Sequence, residues 1–214
     1  MTSRVYTDVD EYILNHIDPE DEILYELDRL TNLKAIHPRM LSGHLQGSIL
    51  KMLCQIVRPK RILEIGTFTG YSAICMARGI ESDAHIDTIE VNDEIAEIPL
   101  RFFDKCGLTS KITLHIGDAL EIIPLLNYKY DLVFMDGEKT EYLKYYDLIF
   151  DKISTGGIIL ADNVLWSGKV LEMPHRSDYS TIAIREFNHK IAADFRVEKV
   201  ILPLRDGLTI IRKK

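Results

Sequence analysis

RILEIGTFTG, residues 61–70, reads as a short apolar strand that carries one acidic residue, Glu64, and closes on a loop bracketed by Gly66 and Gly70. A helical segment, TGYSAICMARGI, follows at once. In a parallel sheet the carboxyl end of a strand is where ligands dock, because glycine admits them to the backbone and the next helix presents free N–H groups. Working outward toward the C-terminus, the same rhythm recurs: HIDTIEV and NDEIAEIPLRFFDKCG, KITLHIG and DALEIIPLL, YDLVFMD and EYLKYYDLIFDKI, then GGIILAD. Such alternation predicts a mostly parallel α/β sheet with helices on both faces. Beyond an irregular, substrate-sized loop at residues 163–178, a helix is expected over residues 181–193, then two closing strands, RVEKVILPL and GLTIIRK. The turn Arg205-Asp206-Gly207 between them reads as a hairpin, which makes the last strand antiparallel to its neighbour.

Toward the N-terminus the pattern is helical. DEYILNHI precedes DEILYELDRLTNLKAI, in which Ile23, Leu24, Leu27, Leu30 and Leu33 recur at three- and four-residue intervals until His37-Pro38 interrupts them. A third helix is expected in SGHLQGSILKMLCQIV, with Leu45, Ile49, Met52, Leu53 and Ile56 on one stripe and Ser42 as N-cap. The 214 residues thus read as one domain, a helical arm over 1–57 and a Rossmann-like core over 58–214.

Composition narrows the function classes. With 46% hydrophobic and 28% charged residues the chain has the make-up of a soluble globular protein, and no window approaches the roughly 18 apolar residues of a membrane span. The acidic N-terminal stretch lacks the basic and apolar parts of a signal peptide, and Cys54, Cys75 and Cys106 form no C-x-x-C pair, so a cytoplasmic protein is expected. A net charge of −7 argues against a large nucleic-acid footprint and favours small-molecule chemistry.

The first strand resembles a nucleotide site but not a dinucleotide one. Its E-x-G-x-x-x-G spacing is not G-x-G-x-x-G, and a carboxylate beside the glycines would repel a pyrophosphate. Glu64 therefore suits a cationic or uncharged ligand. The second strand ends in Glu90, where an acidic side chain accepts hydrogen bonds from both hydroxyls of a ribose. A glycine turn or a strand-end glutamate alone is unremarkable; together, on consecutive strands, they indicate adenosine without phosphates.

These residues also carry a resemblance. EIGTFTGYSA, TIEVN, MDGEK and LADNVLWSGKV, in that order, resemble the S-adenosylmethionine-dependent O-methyltransferases of the caffeoyl-CoA and catechol O-methyltransferase family, and the similarity runs from HPRMLSGHLQG at His37 to the C-terminal DGLTIIRKK. The resemblance implies a seven-stranded sheet of order 3-2-1-4-5-7-6. It implies a cofactor pocket lined by Glu64, Gly66, Thr67, Phe68, Ser72, Glu90, Val91 and Asp136, with Ser42 near the methionine end and Asp118 and Ala119 near the adenine. It also implies a homodimer, for which the Tyr- and Leu-rich N-terminal helices offer apolar surface.

YDLVFMD and GIILAD are successive strands, so Asp136, Asp162 and Asn163 can converge at neighbouring strand ends about 4.8 Å apart. Two carboxylates and an amide oxygen form a hard ligand set suited to Mg²⁺ or another divalent cation. An Asp-Asn pair after a strand is by itself an ordinary turn; the family places its metal on the residues matching these three. Lys139 falls three residues past Asp136, and a like charge nearby disfavours an ammonium. In the family the corresponding lysine takes the proton from the substrate hydroxyl, which makes Lys139 and Asp136 the expected catalytic residues. Trp166 is expected either to wall the aromatic substrate or to anchor its loop to the core.

One departure stands out: Gly137 occupies a position where the family commonly has alanine. No insertion of the kind that recognises coenzyme A esters in plant members is evident, so a small catechol-like phenol is the expected acceptor. The resemblance also implies an alternative, a tRNA 5-hydroxyuridine O-methyltransferase, a role that some bacterial relatives of the family have; the acidic net charge counts against it only modestly, since Arg39, Lys169, Arg176 and Arg205 could edge the pocket and meet phosphates. A silent adenosine-binding scaffold would have lost the triad or Lys139, and a nicotinamide dehydrogenase would need the other glycine spacing.

Overall fold

The computed structural model describes residues 8–214, so the first seven residues, on which part of the leader reading rests, lie outside the described residues. Three helices lead the chain: α1 (Asp8–Leu14), α2 (Glu22–Lys34) and α3 (Gly43–Val57). The alternation follows as β1 (Arg61–Ile65), α4 (Tyr71–Gly79), β2 (His85–Glu90), α5 (Glu97–Lys105), β3 (Ile112–Ile116) and α6 (Ala119–Leu125). It continues through β4 (Tyr130–Met135), α7 (Tyr142–Phe150), β5 (Ile153–Asp162), α8 (Tyr179–Ala193), β6 (Val197–Leu202) and β7 (Leu208–Lys213). The sheet order is β3-β2-β1-β4-β5-β7-β6, with β7 antiparallel to both neighbours, as the sequence led us to expect.

Strand residues alternate between two cores. Ile62, Leu132, Phe134 and Leu160 join a cluster with Leu24, Leu27, Leu50, Ile74 and Phe102 of the α2–α5 layer. Leu63, Val133, Met135 and Ile159 join the opposite cluster with Ile123, Tyr146, Ile184 and Phe187 of the α6–α8 layer. Both faces are covered, which is why the strands read as continuous apolar runs. Among the described residues no helix is long and apolar enough to cross a membrane.

Side-chain capping fixes the starts of α2, α6 and α8. Asp21 accepts from the Ile23 and Leu24 amides at α2, and Asp178 accepts from the Thr181 amide at α8. Ser42 departs from expectation: it is itself in the right-handed helical region and makes no side-chain cap bond. The stripe predicted for α3 is also corrected. Gln46, Gly47, Leu50 and Cys54 are buried there, whereas Met52 is 59% and Ile56 74% exposed. The cause is close helix packing: a Cβ on Gly47 would meet Cys75 Sγ at 2.6 Å, and one on Gly79 of α4 would meet the Lys51 carbonyl oxygen at 2.4 Å. Small side chains, not bulky ones, face the contact between α3 and α4.

Candidate active site

At the carboxyl ends of β1, β2, β4 and β5 lies a cavity of about 690 Å³. Ser42, Gly66, Thr67, Phe68, Ser72, Glu90, Val91, Asp118, Ala119, Asp136, Lys139, Asp162 and Asn163 all line it. Glu64 does not. Strand alternation turns its side chain to the α2–α5 face of β1, where it is fully buried, while its neighbours Ile65 and Gly66 reach the cavity.

In the β1–β2 half, Gly66 sits at φ +97, and a Cβ there would lie 2.4 Å from the Asp136 carbonyl oxygen. Only glycine lets the β1 loop run this close to the end of β4. The Glu90 carboxylate is held by backbone, Oε2 accepting from the Phe68 amide at 2.7 Å and Oε1 from the Asn92 amide at 2.9 Å. Each oxygen keeps a further lone pair, so the group is fixed yet able to accept from a diol. Asp118 caps α6 through the Leu120 amide at 2.8 Å. Behind this wall the Thr67 and Thr88 hydroxyls are hydrogen-bonded to one another, and Thr88 donates to Glu64 Oε2. Glu64 Oε1 has no hydrogen-bond partner among the described residues. Burial pushes the Glu64 carboxyl up to about 8; the Ser72 and Thr88 hydroxyls oppose the rise, and the charges of Asp136 and Glu90 add to it.

In the β4–β5 half, Met135 pairs with Ala161 in parallel register, which sets Asp136 and Asp162 side by side one residue further on. The Asp136 carboxyl is raised to about 6, chiefly by burial and further by the like charge of Asp162, while Lys139 and Arg205 oppose the rise. Asp162 Oδ2 accepts from Gln46 Nε2 at 2.6 Å and Oδ1 from the Asn163 amide at 2.8 Å. Asn163 stands at φ +59 on the cavity wall. Lys139 Nζ donates to Asp136 Oδ1 and to the Tyr142 hydroxyl, both at 2.7 Å. That hydroxyl in turn faces the carbonyls of Met135 at 3.1 Å and Asp162 at 3.0 Å, tying the two strand ends together.

The donor chemistry fits a hard divalent cation. The carboxylates of the buried Asp162 and the half-buried Asp136 repel one another, and Asn163, which lines the same cavity, carries a neutral oxygen donor. Among the described residues no three His, Cys, Asp or Glu side chains gather to hold a metal. An ion here would therefore depend on Asn163 and on oxygens from water or substrate as well as the two aspartates.

The loop after Asn163 bends through Trp166, Ser167 and Gly168, all left-handed at φ 47, 52 and 79. The β6–β7 turn clamps it: the amides of Val164 and Leu165 donate to the carbonyls of Gly207 and Asp206 at 3.1 and 2.9 Å, and the Ser167 amide donates to Asp206 Oδ1. Trp166 packs half-buried against the α6–α8 core, as expected of a loop anchor, and also lines the cavity. Of the basic residues expected at the rim, Arg39 and Arg205 line the cavity; Lys169 pairs with Asp178 at 3.4 Å, and Arg176 is not part of the lining. Gln46, Tyr142 and Asp206 emerge only from the fold, because each acts on a residue brought to it by tertiary structure.

Comparison with known proteins agrees with this geometry. The family model described as O-methyltransferase matches residues 15–214. A probable caffeoyl-CoA O-methyltransferase 2 of Dictyostelium discoideum is 36% identical over 207 residues, covering 94% of this chain and 90% of that protein. A caffeoyl-CoA O-methyltransferase of Stellaria longipes is 32% identical, covering 91% and 84%. Among solved structures, the O-methyltransferase TomG of Streptomyces achromogenes, in complex with S-adenosylmethionine, superposes with a TM-score of 0.91 at 28% identity over 100% and 99% of the two chains. With both the sequence and the cavity in agreement, the chain belongs to the O-methyltransferase family of S-adenosylmethionine-dependent enzymes.

Proposed function

We propose that this enzyme transfers the methyl group of S-adenosylmethionine to one hydroxyl of a small, catechol-like aromatic, with Mg²⁺ or another divalent cation held by Asp136, Asp162 and Asn163. The observation that carries the reading is the pair of mutually repelling carboxylates on adjacent strand ends, beside an amide oxygen and in the same cavity as the backbone-held Glu90. A bound divalent cation would supply charge neutralisation at two vicinal oxygens and a fixed orientation for the ring. In this reading Glu90 accepts from the ribose hydroxyls, Asp118 and Ala119 flank the adenine, and Ser42 and Ser72 stand toward the methionine portion.

Lys139 Nζ takes the phenolic proton, and Asp136 Oδ1 and the Tyr142 hydroxyl, already within 2.7 Å, hold the ammonium so formed. The phenolate oxygen attacks the methyl carbon in line; the O–C bond forms as the C–S bond breaks, with its electron pair going to sulfur. The products are an aryl methyl ether and S-adenosylhomocysteine, and the proton leaves Lys139 to solvent. Trp166 offers the ring an apolar wall. The exposed Tyr12, Tyr25, Met52 and Ile56 on the N-terminal helices support pairing of two copies, and the free cysteines suit a reducing compartment.

Methyl transfer to a panel of catechols, the matching monophenols and tRNA bearing 5-hydroxyuridine tests the acceptor class. Turnover on catechols but not monophenols is expected, because a single hydroxyl cannot chelate. Activity confined to tRNA would overturn the proposal in favour of RNA modification.

A further inference from the structure

Arg205 is a non-glycine residue at φ +50 in the turn between β6 and β7. Such a conformation persists only where its surroundings over-determine it. Here Nη1 donates to the Ser42 carbonyl and, at 2.6 Å, to Gln46 Oε1, while Nη2 donates to the Leu41 carbonyl at 3.2 Å. Gln46, on α3 and only 1% exposed, completes a relay by donating Nε2 to Asp162 Oδ2 at 2.6 Å. Three segments 116 and 159 residues apart thus meet in one line of side chains.

The chemistry of the relay fixes its direction. A guanidinium only donates and an ionised carboxylate only accepts, so the amide between them has one allowed orientation, oxygen to Arg205 and NH₂ to Asp162. The guanidinium and the carboxylate hold the Gln46 amide from its two ends; without the guanidinium the amide oxygen loses its charged donor and only the bond to Asp162 fixes the side chain. We infer that Arg205 is a positioning residue: acting through Gln46, it holds Asp162 in the orientation that presents its remaining lone pairs to the cation site. The inference rests on the metal reading above.

Anchoring the turn to the segment before α3, through the Leu41 and Ser42 carbonyls, does not by itself account for the bond to Gln46. The turn is already closed by the β6–β7 ladder and by the contacts of Asp206 and Gly207 with the loop at 164–167. The guanidinium points the other way, toward the start of α3, where Gln46 links it to the metal-side aspartate. Residues that orient a ligand from behind commonly change metal affinity without touching the ion.

The test measures the Mn²⁺ dissociation constant of the full chain by electron paramagnetic resonance in saturating S-adenosylhomocysteine, alongside thermal unfolding and calorimetric S-adenosylhomocysteine affinity. The proteins are wild type, Arg205→Gly, Gln46→Leu and the double variant. Arg205→Gly, which also relieves the left-handed backbone, should weaken Mn²⁺ binding about tenfold or more, a larger fold-loss than any it causes in S-adenosylhomocysteine affinity. Gln46→Leu should weaken it similarly, and the double variant should lose no more than Gln46→Leu alone, because both break one relay. Unchanged Mn²⁺ affinity in Arg205→Gly, additive losses in the double variant, or a loss confined to S-adenosylhomocysteine would each overturn the role. A wild-type protein that binds no Mn²⁺ would overturn the metal reading itself and this role with it.

Discussion

Replacing Gly137 by alanine installs the residue common in the family at this position, yet it should harm this chain. The φ of Gly137 lies outside the left-handed region, so the backbone accepts a side chain; the obstacle is space. An added Cβ would lie 2.9 Å from Ile65 Cγ2 and 3.2 Å from Tyr145 Cε2. Neither neighbour yields readily. Ile65 is β-branched and buried on β1, and Tyr145 is buried with its hydroxyl donating to Glu141 Oε2 at 2.7 Å. Overpacking of this kind costs about 1–3 kcal/mol, offset by about 0.4–1 kcal/mol from the stiffer unfolded chain. A net loss of about 1.5 kcal/mol corresponds to a melting temperature about 3–6 °C lower for a chain of this length. Because Ile65, Gly137 and Tyr145 also line the cavity, S-adenosylhomocysteine affinity should fall with it. Thermal unfolding by circular dichroism and calorimetric titration read the two effects. A variant as stable as wild type or more so, binding S-adenosylhomocysteine equally well, would refute the packing account and show that the space beside Gly137 is not filled by Ile65 and Tyr145.

Gly66→Ala faces backbone rather than side chain, since its Cβ would lie 2.4 Å from the Asp136 carbonyl oxygen at φ +97; a loss of about 3 kcal/mol or more is expected in urea unfolding. Tyr142→Phe removes the buried hydroxyl shared by Lys139, Met135 and Asp162, and should cost about 1–3 kcal/mol while lowering kcat more than it raises KM for the methyl acceptor. The Glu64 carboxyl supplies a pH dependence. Its folded value, near 8, lies above the ordinary 4.5, so the fold prefers the protonated acid. The associated stability is fully present below about 4.5 and is lost as pH rises toward 8. The ligand-free protein should therefore lose stability across that interval more steeply than Glu64→Gln, and parallel curves for the two would contradict the assignment.

How far the sequence alone reached depends on the range of the interactions involved. The strands and their order rest on apolar runs, glycine turns and a resemblance spread over most of the chain, and they needed no knowledge of distant contacts. Asp136, Asp162, Asn163 and Glu90 were legible because each sits at a strand end, where the parallel topology alone brings the groups together. The α3 stripe misled because hydrophobicity marks a buried face only where there is room for bulk. Close approach to α4 selected Gly47 and Cys54 and left Met52 and Ile56 outside. Ser42 looked like a cap but lies within the helical region and joins the cavity wall. That Glu64 is buried in the α2–α5 layer rather than on the cavity wall follows from strand parity, which fixes that two neighbours face oppositely but not which of them reaches the cavity. Gln46, Tyr142 and the two-sided turn at Arg205 and Asp206 carry no local signal, since each owes its role to partners that only the tertiary fold supplies.

The most direct test of metal-assisted methyl transfer at the β4–β5 strand ends is the rate of catechol methylation by chelator-stripped protein before and after Mg²⁺ is restored, with Asp162→Ala alongside. Negligible turnover without the ion, recovery on its addition, and no recovery in the folded variant are the expected results. Full turnover by the stripped wild-type protein, or Mg²⁺-restored turnover in Asp162→Ala equal to wild type, would contradict the role given to these residues.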